Sequence, residues 1–301
     1  MPTARPASIP TDLPNVDASR IVRAAGIDFH VQITGTGPVV LLLHGTAAAT
    51  HTWRQVLPAL APSATVVAPD LPGHGFTVAS EDALSLPGMV HAVRALLDTL
   101  QLEPVVVTGH SAGAAVMLRM ALDGMLPGAR ELVGFGASLV PPHASYLTIA
   151  APIVNPLITS PLAARTATAL ARVPGIARIL LTATGSRVDA IALSWYERFM
   201  RSEPHVRAAL VMMANFELPA LLRDVPTLAV PLTLLHGSQD GYIPLAAIRT
   251  AVSRIPSAAL TVVPDAGHLL HEELPMVAVT AVREALTRSG RSAIGSHQRT
   301  P

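Results

Sequence analysis

Ser111, Asp240 and His268 are the residues of this chain whose types, order and settings can together carry nucleophilic catalysis. Ser111 stands in Gly109-His110-Ser111-Ala112-Gly113. The apolar run Pro104-Val105-Val106-Val107-Thr108 precedes it and a helix-forming stretch, residues 114–122, follows. A strand, a Gly-x-Ser-x-Gly turn and a helix make a nucleophile elbow. The turn holds its middle residue in a strained backbone conformation that only small neighbours permit. It lifts the hydroxyl clear of the sheet and aims the Ala112 N–H, at the positive end of the next helix, toward an oxyanion. Alone, the pentapeptide also reads as a glycine-rich turn closing a strand–helix unit, so the rest of the chain must supply its partners.

Two later loops supply them. Val230-Pro231-Leu232-Thr233-Leu234-Leu235-His236-Gly237 reads as a short buried strand, and Ser238-Gln239-Asp240-Gly241 follows as a loop. Leu260-Thr261-Val262-Val263-Pro264 is the next strand-like run, followed by Asp265-Ala266-Gly267-His268. An Asp before Gly and a His after Gly are each common in loops. What sets them apart is the order Ser…Asp…His, with every member just past its own strand. In that chemistry His268 takes the proton of Ser111 as the hydroxyl attacks an acyl carbon. Asp240 holds the imidazole tautomer, and water later releases the acyl group. The apolar run 38–43 leads into His44-Gly45-Thr46-Ala47-Ala48-Ala49, a small turn that can set the Thr46 N–H beside that of Ala112 as an oxyanion hole. His44 reads as a brace between loops, and Asp70 and Asp265 as loop ties. Glu272, Glu273 and Pro275 read as a helix start rather than a second acid.

These residues, with Asp70-Leu71-Pro72-Gly73-His74-Gly75, resemble the α/β-hydrolase superfamily over residues 19–285. Ser rather than Asp at the elbow argues against dehalogenase or epoxide-hydrolase chemistry. Longer strings narrow the likeness: Asn15-Val16-Asp17-Ala18-Ser19-Arg20, His51-Thr52-Trp53-Arg54, Thr184-Gly185-Ser186-Arg187-Val188-Asp189-Ala190 and Met212-Met213-Ala214-Asn215. They look like the family of hydrolase-like accessory proteins of magnesium chelatase in bacteriochlorophyll biosynthesis. The resemblance implies a place near magnesium insertion into protoporphyrin IX, with a porphyrin and the magnesium chelatase subunits as candidate partners. It leaves open whether the protein is a serine hydrolase acting on a hydrophobic ester-like substrate or a non-catalytic accessory protein with an inherited triad. Trp53, Met212, Met213 and Phe216 are the expected substrate contacts, suited to a flat apolar ligand, although Met and Phe at such spacings also read as core.

The expected architecture is an α/β-hydrolase fold: a mostly parallel eight-stranded sheet with helices on both faces. Segments 20–25 and 28–34 read as an antiparallel edge hairpin, and 39–43, 65–68, 105–108, 132–136, 232–235 and 260–263 as the other strands. Segments 87–100 and 276–286 carry helical patterns. Residues 1–136 and 227–290 form the expected core, 137–226 a helical cap inserted between strands 6 and 7, and 291–301 a disordered tail. Residues 132–164 contain no Asp, Glu, Lys or Arg, but Pro141, Pro142, Pro152, Pro156 and Pro161 interrupt them, which argues against a membrane span. A cap of this composition buries its own apolar faces, lines an apolar pocket, or rests on a membrane surface.

Composition narrows the classes. The 301 residues suit one large domain with an insertion. A net charge of +1 gives no nucleic-acid footprint. The absence of Cys removes thiolate nucleophiles and Cys-based metal sites, and the absence of Lys removes Schiff bases and Ser–Lys dyads. No cofactor or metal is expected. The N-terminal stretch lacks a signal-like apolar core, so the expected location is the cytoplasm, with the cap as a peripheral membrane contact.

Overall fold

A computed structural model of the protein describes residues 8–139 and 156–297. Eight strands form one mixed sheet in the order β1-β2-β4-β3-β5-β6-β7-β8. They are β1 Ser19–Ala24, β2 Ile27–Thr34, β3 Val39–Leu43, β4 Thr65–Pro69, β5 Val106–His110, β6 Glu131–Phe135, β7 Leu232–Gly237 and β8 Ala258–Val263. β1 pairs antiparallel with β2 and β2 with β4, while β3 through β8 run parallel. The sheet is thus mostly parallel, with the edge hairpin as its antiparallel part.

Parallel strands are covered on both faces, and strict alternation shows it here. Leu41, Leu43, Val67, Val107 and Leu132 face one core, packed by α2 (Leu86–Leu100) and α3 (Ala112–Leu122). Val40, Leu42, Val66, Val106 and Val133 face the other, packed by α1 (Val56–Leu60) and α11 (Pro275–His297). Ser85 caps α2 by accepting the Gly88 N–H. β5 runs two residues past the apolar run, because Gly109 and His110 pair with Gly134 and Phe135 of β6. Ser111 therefore leaves the sheet at the carboxyl edge without an intervening loop.

Between β6 and β7 lie α4 (Pro161–Leu170), α5 (Ile176–Ala183), α6 (Ala190–Met200), α7 (Glu203–Ala214) and α8 (Leu218–Asp224), where the cap was expected. α9 (Leu245–Val252) and α10 (Leu270–Glu273) complete the described helices. Pro141, Pro142 and Pro152, with residues 140–155 of the uncharged stretch, lie outside the described residues. α6 seats the cap on the core: Trp195 and Phe199 pack on Phe76 and Leu13, and Tyr196 packs with Ala48 and Leu269.

The expected disordered tail is corrected in part, since α11 continues to His297. Its polar residues find partners. Thr287 and Ser289 hydroxyls donate to the Arg283 and Ala285 carbonyls one turn back, Arg130 reaches the Ser289 carbonyl, and Arg288 pairs with Glu131 at 3.0 Å. Residues 298–301 lie outside the described residues.

Candidate active site

Ser111 has φ 50° and ψ −116°, the strained conformation expected of an elbow. Glycines permit it by close approach. A Cβ on Gly109 would lie 2.5 Å from the Ala114 backbone, and one on Gly113 would lie 2.3 Å from the Leu43 carbonyl. The Ser111 N–H donates to the Phe135 carbonyl at 3.0 Å, and the Ser111 carbonyl accepts from the Ser138 N–H at 3.2 Å. The hydroxyl lies 3.3 Å from Ser138 Oγ, so among the described residues it pairs with Ser138 rather than with His268.

Asp240 and His268 meet as the sequence order implied. Asp240 Oδ1 accepts from the Tyr242 and Ile243 N–H groups, both at 2.8 Å, which locks the side chain. Its Oδ2 accepts from His268 Nδ1 at 2.8 Å, with the carboxylate almost fully buried. His236 stands 3.8 Å from the same oxygen but donates to the Ile243 carbonyl at 2.9 Å. With its proton on Nδ1, His268 keeps Nε2 as the basic nitrogen, and Nε2 has no hydrogen-bond partner among the described residues. The carbonyl of His268 accepts from His110 Nε2 at 3.1 Å. Burial, then His271 and His268, pushes His110 well below the ordinary imidazole range, so no second cation opposes a charged His268.

The expected oxyanion loop lies against the elbow. A Cβ on Gly45 would stand 3.1 Å from Ser111 Cβ. Neither the Thr46 nor the Ala112 N–H has an acceptor among the described residues, so both remain open donors. His44 braces the loop: Nδ1 donates to the Gly45 carbonyl and Nε2 accepts from the Leu71 N–H, both at 2.8 Å. Asp70 ties three segments, accepting from Thr50 N at 2.7 Å, Phe76 N at 2.9 Å and His30 Nδ1 at 2.7 Å. Burial pushes this carboxyl up, but the His30 imidazole at 2.7 Å and the backbone donors outweigh it and hold Asp70 well below the usual range. His30 Nε2 in turn meets Ser19 Oγ at 3.0 Å. The same three residue types therefore meet a second time, and in this set the Ser bonds the His while the Asp is spent on loop N–H groups.

The expected substrate contacts divide. Trp53 is fully buried between Phe135 and His271, so it is core and not a ligand wall. Met213 is 46% exposed and turned outward. Phe216 packs on the core beside α8. Met212 is brought to the site: it is fully buried and its Sδ accepts from Thr46 Oγ1 at 3.6 Å. Helical spacing separates neighbours such as Met212 and Met213 by about 100°, so one reaches the site and the other solvent. Among the described residues no group of three His, Asp or Glu is arranged to hold a metal.

Sequence reasoning missed the clamp around the acid and base loops. The cap segment between α5 and α6 threads between them. The Thr184 carbonyl accepts from Gly241 N at 3.0 Å and from His268 N at 3.1 Å. Ser186 Oγ accepts from Leu269 N at 2.8 Å. Glu273, read as part of a helix start, accepts from Gly267 N at 2.9 Å and Arg187 N at 3.0 Å. Glu272, read likewise, is buried and takes Thr52, Tyr196 and Arg54 at 2.7–2.8 Å, while Arg54 also reaches Asp189 at 2.7 Å. Burial pushes Glu272 up to about 7 against the pull of these donors. The available signals were the pair of carboxylates four and five residues after His268 and the string from Thr184 to Ala190.

The fold and this geometry define the class, and residues 40–282 match the alpha/beta hydrolase family, so the chain belongs to that family. Among curated relatives it is 35% identical over 279 residues to the magnesium-chelatase 30 kDa subunit of Rhodobacter capsulatus, covering 89% of this chain and 94% of the relative. It is 27% identical over 250 residues to the pimeloyl-[acyl-carrier protein] methyl ester esterase of Xylella fastidiosa, covering 79% and 91%. Among solved structures, an alpha/beta hydrolase fold protein from Burkholderia ambifaria superposes with a TM-score of 0.71 at 25% identity, covering 88% of this chain and 98% of that one. A thermophilic esterase from Thermogutta terrifontis superposes with a TM-score of 0.71 at 23% identity, covering 89% and 97%, a likeness of fold.

Proposed function

We propose that the protein is a serine hydrolase that cleaves a hydrophobic ester-like substrate through an acyl-enzyme. The observation that carries the reading is the His268–Asp240 bond of 2.8 Å beside a strained Ser111 at a strand–helix elbow. In the reaction the Ser111 hydroxyl leaves Ser138, turns to His268 Nε2 and attacks the acyl carbon as its proton passes to that nitrogen. The Thr46 and Ala112 N–H groups hold the oxyanion, and Asp240 stabilises the imidazolium. His268 then protonates the leaving alcohol or thiol, activates water, and the acyl group departs as the acid. Met212, over Thr46, gives the acyl pocket an apolar wall from the cap.

Identity to the magnesium-chelatase 30 kDa subunit supports a place in bacteriochlorophyll biosynthesis near magnesium insertion, with a porphyrin as the substrate to try first. That identity also favours a second reading, a non-catalytic accessory protein that binds porphyrin or the chelatase, and the pairing of Ser111 with Ser138 agrees with it. Fluorophosphonate labelling read by intact mass separates the two. A single adduct on wild type, lost in Ser111→Ala, is the expected result. Folded wild type that takes no label, while binding protoporphyrin IX saturably by absorbance titration, establishes the accessory reading instead.

A further inference from the structure

The outer face of the cap has a chemistry of its own. α4 turns Ala164 and Thr168, and then Ala171, inward at spacings of four and three residues. The opposite side of the same helical path presents Leu162, Leu170 and Val173, which are 72%, 54% and 49% exposed. α5 buries Ala177 and Leu181 and exposes Ile179 and Leu180 at 63% and 52%. Leu157, 66% exposed, precedes α4. Monomeric proteins rarely leave this much large aliphatic surface in one stretch of chain without a partner.

Along this stretch of chain the charge has one sign. Residues 132–188 contain no Asp or Glu, and Arg165, Arg172, Arg178 and Arg187 are their only charged residues. All four are exposed. Arg165 meets Glu203 of α7 at 3.2 Å, and among the described residues the side chains of Arg172 and Arg178 meet no carboxylate. The next carboxylates along the chain are each held by an arginine: Asp189 by Arg54, Glu197 by Arg201 and Glu203 by Arg165. The two helices therefore offer aliphatic side chains and guanidinium groups and carry no carboxylate of their own, the neighbouring Glu203 being engaged by Arg165.

We propose that the outer face of α4 and α5 docks the protein on an anionic lipid bilayer, the aliphatic side chains entering the headgroup boundary and Arg172 and Arg178 meeting lipid phosphates. A helix with an exposed apolar face and flanking cations is the form that binds such a surface. No helix among the described residues is long and apolar enough to cross a membrane, so the contact is a surface one. A second copy is a poor occupant, because pairing this face with itself sets arginines against arginines. The inference does not depend on whether Ser111 reacts. It adds a supply route to the reading above, since a cap resting on lipid meets hydrophobic substrates where they dissolve.

Co-sedimentation of the full-length protein with two kinds of vesicle tests it: phosphatidylcholine alone, and equal parts phosphatidylcholine and phosphatidylglycerol. The variants are Arg172→Gln/Arg178→Gln and Leu162→Ser/Leu170→Ser/Ile179→Ser, all at exposed positions, with thermal melts confirming that each folds. The expected result is pelleting with the mixed vesicles and little with the neutral ones. The arginine pair should lower the partition coefficient about 25-fold, at about fivefold per arginine. The leucine–isoleucine variant should stay in the supernatant. Failure to pellet with either vesicle overturns the proposal. So does equal binding to both vesicles that the arginine changes leave alone, and so does a dimer in sedimentation velocity that the leucine changes abolish while vesicles bind nothing.

Discussion

Gly185→Ala tests whether the cap sets the geometry of the acid and base loops. Gly185 has φ +77°, and a Cβ there would stand 1.8 Å from the carbonyl oxygen of Gln239, the residue before Asp240. Gly175, also in the cap, has φ +85° and open space around the same position. Both alanines carry left-handed strain of about 1 kcal/mol. Only Gly185→Ala must also drive two backbones apart by more than 1 Å, because real Cβ contacts do not fall under 3.0 Å. That displacement acts on the Thr184 carbonyl, which bonds both Gly241 and His268, and so on the 2.8 Å contact between Asp240 and His268. Misplacing a catalytic group by about 1 Å costs about 100-fold in rate. The assay is the fluorophosphonate labelling rate of Ser111 across pH, with thermal melts in parallel. Gly175→Ala should label within about twofold of wild type and lose about 2–4 °C in Tm. Gly185→Ala should label about 100-fold more slowly. Equal labelling rates and equal stability in the two variants would refute the reasoning.

Two further outcomes follow from the same contacts. Asp240→Asn should keep the fold but lower labelling and turnover by about 10⁴-fold, since an amide no longer fixes the proton on His268 Nδ1; labelling at the wild-type rate would count against the assigned roles. Acid should destabilise the protein through buried neutral histidines. Burial lowers His51 to about 3 and His205 to about 4, so each contributes stability that is present above the unfolded value near 6.5 and is lost as pH falls toward those values. Urea midpoints should fall between pH 7 and pH 4.5, and a constant midpoint in that range would contradict the assignment.

Much of this protein is legible along the chain because the signals are local. Apolar runs of five or six residues give β3 and β5, and the Gly-x-Ser-x-Gly turn between a strand and a helix marks Ser111 once the later loops supply its partners. The order of three short motifs brought Asp240 and His268 to one hydrogen bond, because parallel strands end at a common edge. Other features were decided by contacts between distant segments. Trp53 sits in a motif beside the site, yet its ring is packed under the loop against Phe135, and Met212 rather than Met213 reaches Thr46 because of how α7 is rotated on the core. Glu272 and Glu273 look like any acidic helix start until Arg54, Tyr196, Arg187 and Gly267 are brought around them. α11 runs on through its polar residues 287–289, where Arg130 reaches the Ser289 carbonyl and Arg288 pairs with Glu131. Sequence by itself determined which groups are the candidates for reaction and near which strand ends they stand, since those are properties of single turns. Tertiary structure alone decided what holds them, because a threaded cap segment or a buried carboxylate is defined by partners far along the chain, 83 residues for Ser186 and Leu269 and 220 for Thr52 and Glu272.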